Sequence, residues 1–325
     1  MATQAIAGTS DKVLSAALPG LLKGVGLMAY NGHALWSKID RGGRKKEWEG
    51  DSIQAAVMTS KYNKAASYQN DDTVDTTSVE PFQAVQFEMG GYQVSINLPG
   101  MKIRKVQSQP NRLFELLKTE TTAAVVDMID VMSGHLLQAT NYAKGILSLY
   151  TITDTSTTIA GLAGSSSWGG TTVTSGSFAA QGLNDLMTLH TTLSVYMPTL
   201  DDAGNNSGMQ QEPDIHVTDR ASWQRYWNRL ESSMRYVPGG EGDVKLKLAF
   251  MGTPVMVDTH ATSGSWFALH SPSMYMYVHP DADFEVLPSQ RTTTQPDTWS
   301  RAAIWNGQIV FNSRRHFGKC ISISD

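Results

Sequence analysis

The chain of 325 residues is 41% hydrophobic and 17% charged with a formal net charge of −4, a balance that fits a folded globular protein and excludes a generally basic one that coats nucleic acid, though not a local basic patch. Its single cysteine, Cys320, excludes an internal disulfide framework and fits a reducing compartment. No apolar run approaches the ~20 residues of a membrane-spanning helix, and the N-terminus lacks the basic start and apolar segment of a secretory signal, so a soluble chain made in the cytoplasm is expected.

Met1 to about Arg41 reads as a weakly organised arm, with Ser10 and Asp11 able to cap a short helix (Val13, Leu14, Ala17, Leu18) that Pro19 and Gly20 stop. A basic cluster follows, Arg41, Arg44, Lys45 and Lys46. It reads as a solvated linker, the alternative being contact with a polyanion or an acidic neighbour. From Gly50 to about Val106 the period is two: Tyr92, Val94, Ile96 and Leu98 alternate with Gln93, Ser95 and Asn97, preceded by Phe82 to Glu88. Between strands lies QNDDTVDTTSVEP, Gln69 to Pro81, a polar loop tip carrying Asp71, Asp72 and Asp75. An isolated hairpin is marginal in water, so this segment is expected to lie against something outside itself.

Gln109 to Ala143 is the long element. Leu113, Leu117, Thr121, Ala124, Met128, Met132, Leu136, Ala139 and Ala143 recur at steps of three or four, which predicts one helix of roughly 50 Å, opened by Pro110 with Ser108 as cap. Lys144 to Ser177 reads as turns and short strands, and Ala179 to Tyr196 as a second helix with Leu183, Leu186, Met187, His190 and Leu193 on its apolar face. Ile215 to Val217 is a short strand, and Thr218 or Asp219 caps a helix whose Trp223, Tyr226, Trp227 and Leu230 share a core-facing stripe. After the turn PGGEGD come short strands at Val244 to Phe250, Val255 to Asp258, Trp266 to Leu269 and Met274 to His279. The Asn306-Gly307 pair, flanked by AAIW and QIVF, predicts a closing hairpin. Helices and antiparallel hairpins without alternating βαβ order make the class α+β.

No site for chemistry emerges, and no cofactor is expected. PGGEGD has neither GxGxxG spacing nor a strand-to-helix setting, the eight histidines form no HExxH, and DDTVD lacks the glycine and distal glutamate of a calcium loop. Asp258 and His260 alternate at a strand end, but no GxSxG accompanies them. His190 reads as an interior histidine, and Cys320, beside Ile321 and Ile323, as an inert packed thiol. The acidic tip reads as solvated, or as meeting basic residues of a neighbour, for which Arg41 to Lys46 and Arg314 with Arg315 are the candidates.

The order of these parts resembles the major capsid protein of tailed bacteriophages, the Hong Kong 97 coat fold. DDTVDTT before QVSINLPG resembles an extended loop returning to a spine helix; GTPVMVD with SWFALHSPSMYMYVHPDADFEV resembles the end of the axial domain; WNGQIVFNSRRHFGKC resembles the closing strands. The resemblance covers about Gly50 to Ile323 and implies an arm over 1–49, an extended β-hairpin loop over 50–106, a peripheral domain with the spine over 107–176, an axial domain over 177–278 and a return to the peripheral domain over 279–325. It implies a non-enzymatic shell subunit whose partners are copies of itself in pentamers and hexamers, a portal protein, possible separate scaffolding and decoration proteins, and packaged double-stranded DNA touched non-specifically, with no membrane. Its location would be the virion capsid, assembled in the host cytoplasm. The inter-subunit contacts expected are Arg41, Arg44, Lys45, Lys46, Asp71, Asp72, Asp75, Tyr92, Val94, Ile96, Arg314 and Arg315. Fewer than about 45 residues precede the hairpin, so a long cleaved scaffolding region is not expected; Lys61 or Lys64 would be the loop lysines of a crosslink, which no local feature supports. The rival readings are another virion or nucleic-acid-binding structural protein, and an enzyme with an unrecognised site.

Overall fold

A computed structural model describes residues 34–41, 44–50, 52–58, 64–67, 69, 73, 75–106, 110–140, 142–164, 168–196, 210–230, 248–291, 297–311 and 313–325. In chain order the elements are α1 (Ala34–Arg41), β1 (Lys45–Glu47), β2 (Ser52–Met58), β3 (Phe82–Glu88), β4 (Gly90–Pro99), α2 (Gly100–Val106), α3 (Pro110–Leu137), α4 (Leu149–Ile152), β5 (Thr171–Thr174), α5 (Leu183–Leu193), β6 (Val195–Tyr196), β7 (Gln210–Gln211), β8 (Ile215–Thr218), α6 (Arg220–Arg229), β9 (Ala249–Phe250), β10 (Thr253–Val257), β11 (Trp266–Leu269), β12 (Met274–Val286), β13 (Gln290–Arg291), β14 (Thr298–Phe311) and β15 (Gly318–Ile321). The class is α+β. Two compact units divide them: 1–49, 89–148 and 275–309 in one, 50–88, 149–274 and 310–325 in the other. The expected arm helix at Ser10 to Leu18 and the PGGEGD turn lie outside the described residues.

The first unit is a five-stranded sheet, β1-β12-β14-β13 with β4 on the other side of β14, packed by the spine α3. The alternation read in β4 is kept: Tyr92, Ile96 and Leu98 are buried and Val94 half-buried, while Gln93, Ser95 and Asn97 are exposed. The spine spans 28 residues, and its buried stripe of Leu117, Thr121, Val125, Met128, Ile129, Met132 and Leu136 follows the expected helical period. It stops at Leu137, short of Ala143, because the chain turns back into a polar lock. Tyr92 Oη accepts the Ile146 N–H at 3.1 Å and shares a hydrogen bond with His135 Nδ1 at 2.9 Å, while Tyr142 stacks flat on His135 with ring centroids 3.6 Å apart. Gly145 is required there, since a Cβ would sit 2.6 Å from the Tyr92 hydroxyl. Burial pushes Tyr92 up to about 12 and lowers His135.

The expected hairpin at Asn306-Gly307 does not exist. β14 runs straight through it for 14 residues, with Asn306 opposite Gly91 and Gly307 opposite Gly90. Strands on both of its edges supply hydrogen bonds that a turn would forfeit. The glycine instead permits close approach, because a Cβ at Gly307 would come within 2.6 Å of the Trp305 ring and 2.7 Å of Tyr277 O. Trp305 in turn packs on Trp36 of α1, Tyr92 and Phe284 at 5.8, 6.0 and 6.3 Å. Part of the expected arm is thus a packed helix.

The second unit carries a six-stranded sheet, β5-β15-β11-β8-β10-β9, with α5 and α6 over a core that includes Leu186, Leu189, Leu193, Tyr226, Phe250, Trp266 and Cys320. Asp219 caps α6, its carboxylate accepting from Ala221 N and Ser222 N, and Trp223 and Trp227 stack half-buried against the core at 5.7 Å. The apolar face of α5 is rotated from expectation: Leu186, Leu189, His190 and Leu193 are buried while Leu183 and Met187 are exposed. The helix packs on β5 and β15, and the stripe it buries there, at i, i+3, i+4 and i+7, is centred to one side of Leu183 and Met187; a π-helical turn, Phe178–Gly182, precedes it. β15 belongs to this sheet.

Arg314 is fully buried in the second unit, its guanidinium donating to the carbonyls of Ile152 at 3.0 Å, Thr157 at 2.8 Å, Thr151 at 3.2 Å and Asp154 at 2.5 Å. Lys319 donates to Tyr150 O at 2.7 Å and lies 3.6 Å over the Tyr150 ring. Burial lowers Arg314 to about 10 and Lys319 to about 8, against the opposing pull of Asp154. Thr151 O keeps the Asp154 N–H and Asp154 O the Gly170 N–H, but replacing Arg314 with Met takes the guanidinium from the carbonyls of Ile152 and Thr157, so Arg314→Met is expected to cost roughly 3–5 kcal/mol in urea unfolding.

Two interior histidines set an acid limit. His216 Nδ1 accepts from Trp266 Nε1–H at 3.1 Å and is lowered to about 3 by burial and the neighbouring His190; His316, 2.8 Å from Ser273 Oγ, is lowered to about 4 by burial, His270 and Arg315. Both folded values lie below the unfolded one near 6.5, so their contribution to stability is complete above pH 6.5 and is lost as pH falls towards 4. Urea midpoints are expected to record a loss of roughly 3–6 kcal/mol across that window, and His316→Gln to flatten the slope.

Candidate self-association surfaces

β2 and β3 form an antiparallel ribbon of seven pairs, from Ser52 opposite Glu88 to Met58 opposite Phe82. One face of its base, Ile53, Val57, Val85 and Phe87, is at most 4% exposed. Phe87 meets Phe311 edge-on at 5.1 Å, and Phe311 lies 5.8 Å from Trp168. The ribbon does rest on something outside itself, but at its base that cover comes from the same chain. The base of the ribbon is therefore buried without a subunit neighbour. The spine packs on β4, and beside its buried stripe Val126 and Val131 are exposed.

The other face and the tip are open. Gln54, Ala56, Ala84 and Gln86 are exposed, and Phe82 is 59% exposed at the point where the ribbon leaves its support. Alternation alone places Phe82 with Ala84 and Gln86, opposite Val85 and Phe87, so its place on the open face is readable in the sequence, although Phe82 is not among the expected contacts. In the tip Asp75 accepts from Thr77 N at 2.9 Å and Thr77 Oγ1 at 2.7 Å, and Lys64 lies 3.3 Å from the same carboxylate. The Thr77 bonds, then Lys64, hold Asp75 below the usual carboxylate range. Asp75 and Lys64 thus serve the loop's own turn. Asp71, Asp72 and Lys61 lie outside the described residues.

The remaining expected contacts separate. Lys45 pairs with Asp283; Lys46 sits 4.0 Å over the Tyr275 ring with Arg44 at 5.8 Å, so these two gather on one aromatic side chain. The Arg41 side chain lies outside the described residues. Arg315 is exposed, but Arg314 is not available to a neighbour because its own chain's carbonyls surround it. Tyr92 and Ile96 are corrected for the same reason: they face the spine. Val94 is half-buried. Further exposed large apolar side chains are Met101, Val126 and Val131 on the spine, Leu183 and Met187 on α5, Met251 and Leu287.

Nothing in the described residues assembles catalytic chemistry. Asp258 accepts from His260 N at 3.0 Å, with the ring Nδ1 3.2 Å away, which is a side-chain-capped turn after β10. Burial pushes the Cys320 thiol up to about 12, and no group of three or more His, Cys, Asp or Glu is placed to hold a metal among the described residues. No helix among them is long and apolar enough to cross a membrane.

No family model and no curated protein matches the sequence. Solved structures do. The capsid of a native GTA particle superposes with a TM-score of 0.59 at 10% identity, covering 89% of this chain and 90% of the other. The capsid of cyanophage A-1(L) gives 0.59 at 10% identity over 87% and 91%. The chain has the Hong Kong 97-type coat fold. An encapsulin of Synechococcus elongatus, SrpI, shares this coat fold, with a TM-score of 0.54 at 11% identity over 88% and 86%.

An aromatic side chain left in water at the edge of a supported ribbon costs nothing in intrachain packing when removed. Phe82→Ser is expected to leave Tm within about 2 °C of the parent and to weaken self-association in sedimentation velocity.

Proposed function

We propose that this chain is the major coat subunit of a tailed bacteriophage head, assembling as pentamers and hexamers into an icosahedral shell around double-stranded DNA. The observation that carries this reading is the match in fold, over about nine-tenths of both chains, to the capsids of a GTA particle and of cyanophage A-1(L). In this reading the unit with the five-stranded sheet is the peripheral part, and the helices and strands of 177–274 are the axial part. The ribbon tip with Phe82 and the exposed pair Leu183 and Met187 serve contacts between copies. Portal, scaffolding and decoration proteins are the other partners, and assembly takes place in the host cytoplasm. The net charge of −4 suits a wall that must not hold packaged phosphate tightly.

A second reading, a shell enclosing protein cargo, is favoured by the encapsulin match. The contents of isolated particles separate the two. Nuclease-resistant double-stranded DNA inside them is the expected result, and particles holding a defined protein without DNA would replace the first reading with the second.

A further inference from the structure

Among the described residues the sheet of the first unit stops, on one side, at β4, whose single strand neighbour there is β14. Two bonds establish which way its backbone groups point. Gly91 donates its N–H to Lys144 O at 3.0 Å, away from β14, and Ala302 O, opposite Ser95, accepts from Leu287 N at 2.8 Å on the far side of β14. In an antiparallel pair, alternate residues bond to the neighbour and point away from it. Tyr92, Val94, Ile96 and Leu98 therefore bond β14. Gln93, Ser95 and Asn97 aim N–H and C=O outward, and among the described residues none of these groups has a partner.

Free edges are normally guarded by lysines, prolines, bulges or a covering element. The opposite edge of this sheet, β1, carries Lys45, Lys46 and Glu47. β4 reads GGYQVSINLP: it has no charge anywhere, no proline before its last residue, and no residue at positive φ. The three outward residues carry exposed, short, uncharged polar side chains.

We infer that this edge pairs with the same edge of a second copy, antiparallel about a twofold axis at Ser95. The strand is its own complement. Centred there, Ser95 meets Ser95 and Gln93 meets Asn97 of the partner subunit, so amide faces amide, no like charges oppose, and each facing pair exchanges two backbone hydrogen bonds. The surface is isologous and joins two five-stranded sheets into one. It stands whether or not the copies close into a shell.

Cysteine pairing tests the register. A hydrogen-bonded antiparallel pair places Cα atoms about 5.5 Å apart, inside the disulfide range of roughly 4.4–6.8 Å, and the native thiol of Cys320 is buried and held protonated. Under mild oxidation Ser95→Cys is expected to form a disulfide dimer at least about tenfold faster than Gln93→Cys or Asn97→Cys alone, while a mixture of the latter two links efficiently. Equal rates for all three, or an unlinked mixture, would overturn the pairing. Ser95→Pro removes an outward donor without touching the β14 ladder and is expected to weaken dimerisation at least about tenfold by sedimentation; an unchanged affinity also overturns it. Particles that form without the Ser95 link would sink this edge contact and leave the coat reading standing.

Discussion

Hydrogen bonding of β14 from both sides is the constraint on which the first unit depends. A strand paired along one edge with β4 and along the other with β12 and β13 cannot turn at Asn306-Gly307, however well those residues suit a turn. Held straight, it needs glycine where Trp305 folds over the neighbouring backbone, and it fixes the phase of β4. That phase sends Tyr92 inward to the spine and to Ile146 N, and leaves Gln93, Ser95 and Asn97 facing out. One ladder therefore settles the end of the spine helix, the position of the buried tryptophan and the character of the open edge.

Much of this was legible where a segment's own periodicity decides its state. The spine stripe, the alternation in β4, the Asp219 cap and the inert Cys320 all follow from patterns within a few residues of each other. The α+β class and the coat fold were legible in the order of parts. What could not be read were outcomes decided at a distance. The hairpin signal at Asn306-Gly307 lost to strands more than 200 residues away in sequence for β4. The face that α5 buries was decided by β5 and β15, on which it packs, and Arg314 is held inside by the carbonyls of Thr151, Ile152, Asp154 and Thr157. Two adjacent arginines look alike in sequence, yet one caps a buried loop and the other meets water.

The candidate contact surfaces also changed in kind. Charge suggested them first, but two of those charges, Lys45 and Asp75, lie in pairs within the chain, with Asp283 and Lys64, and solvent-accessible pairs of this sort add little to association. Apolar and backbone groups left open, Phe82 on the ribbon and the uncharged edge of β4, are better suited to holding copies together. They cost solvent exposure in an isolated subunit and gain burial only in an assembly.

The central claim is that copies of this chain close into a shell. Negative-stain electron microscopy of the expressed protein over rising concentration tests it most directly: closed particles of uniform diameter, built from ring-shaped capsomers, are the expected result, and a monomer or small fixed oligomer at every concentration would contradict it.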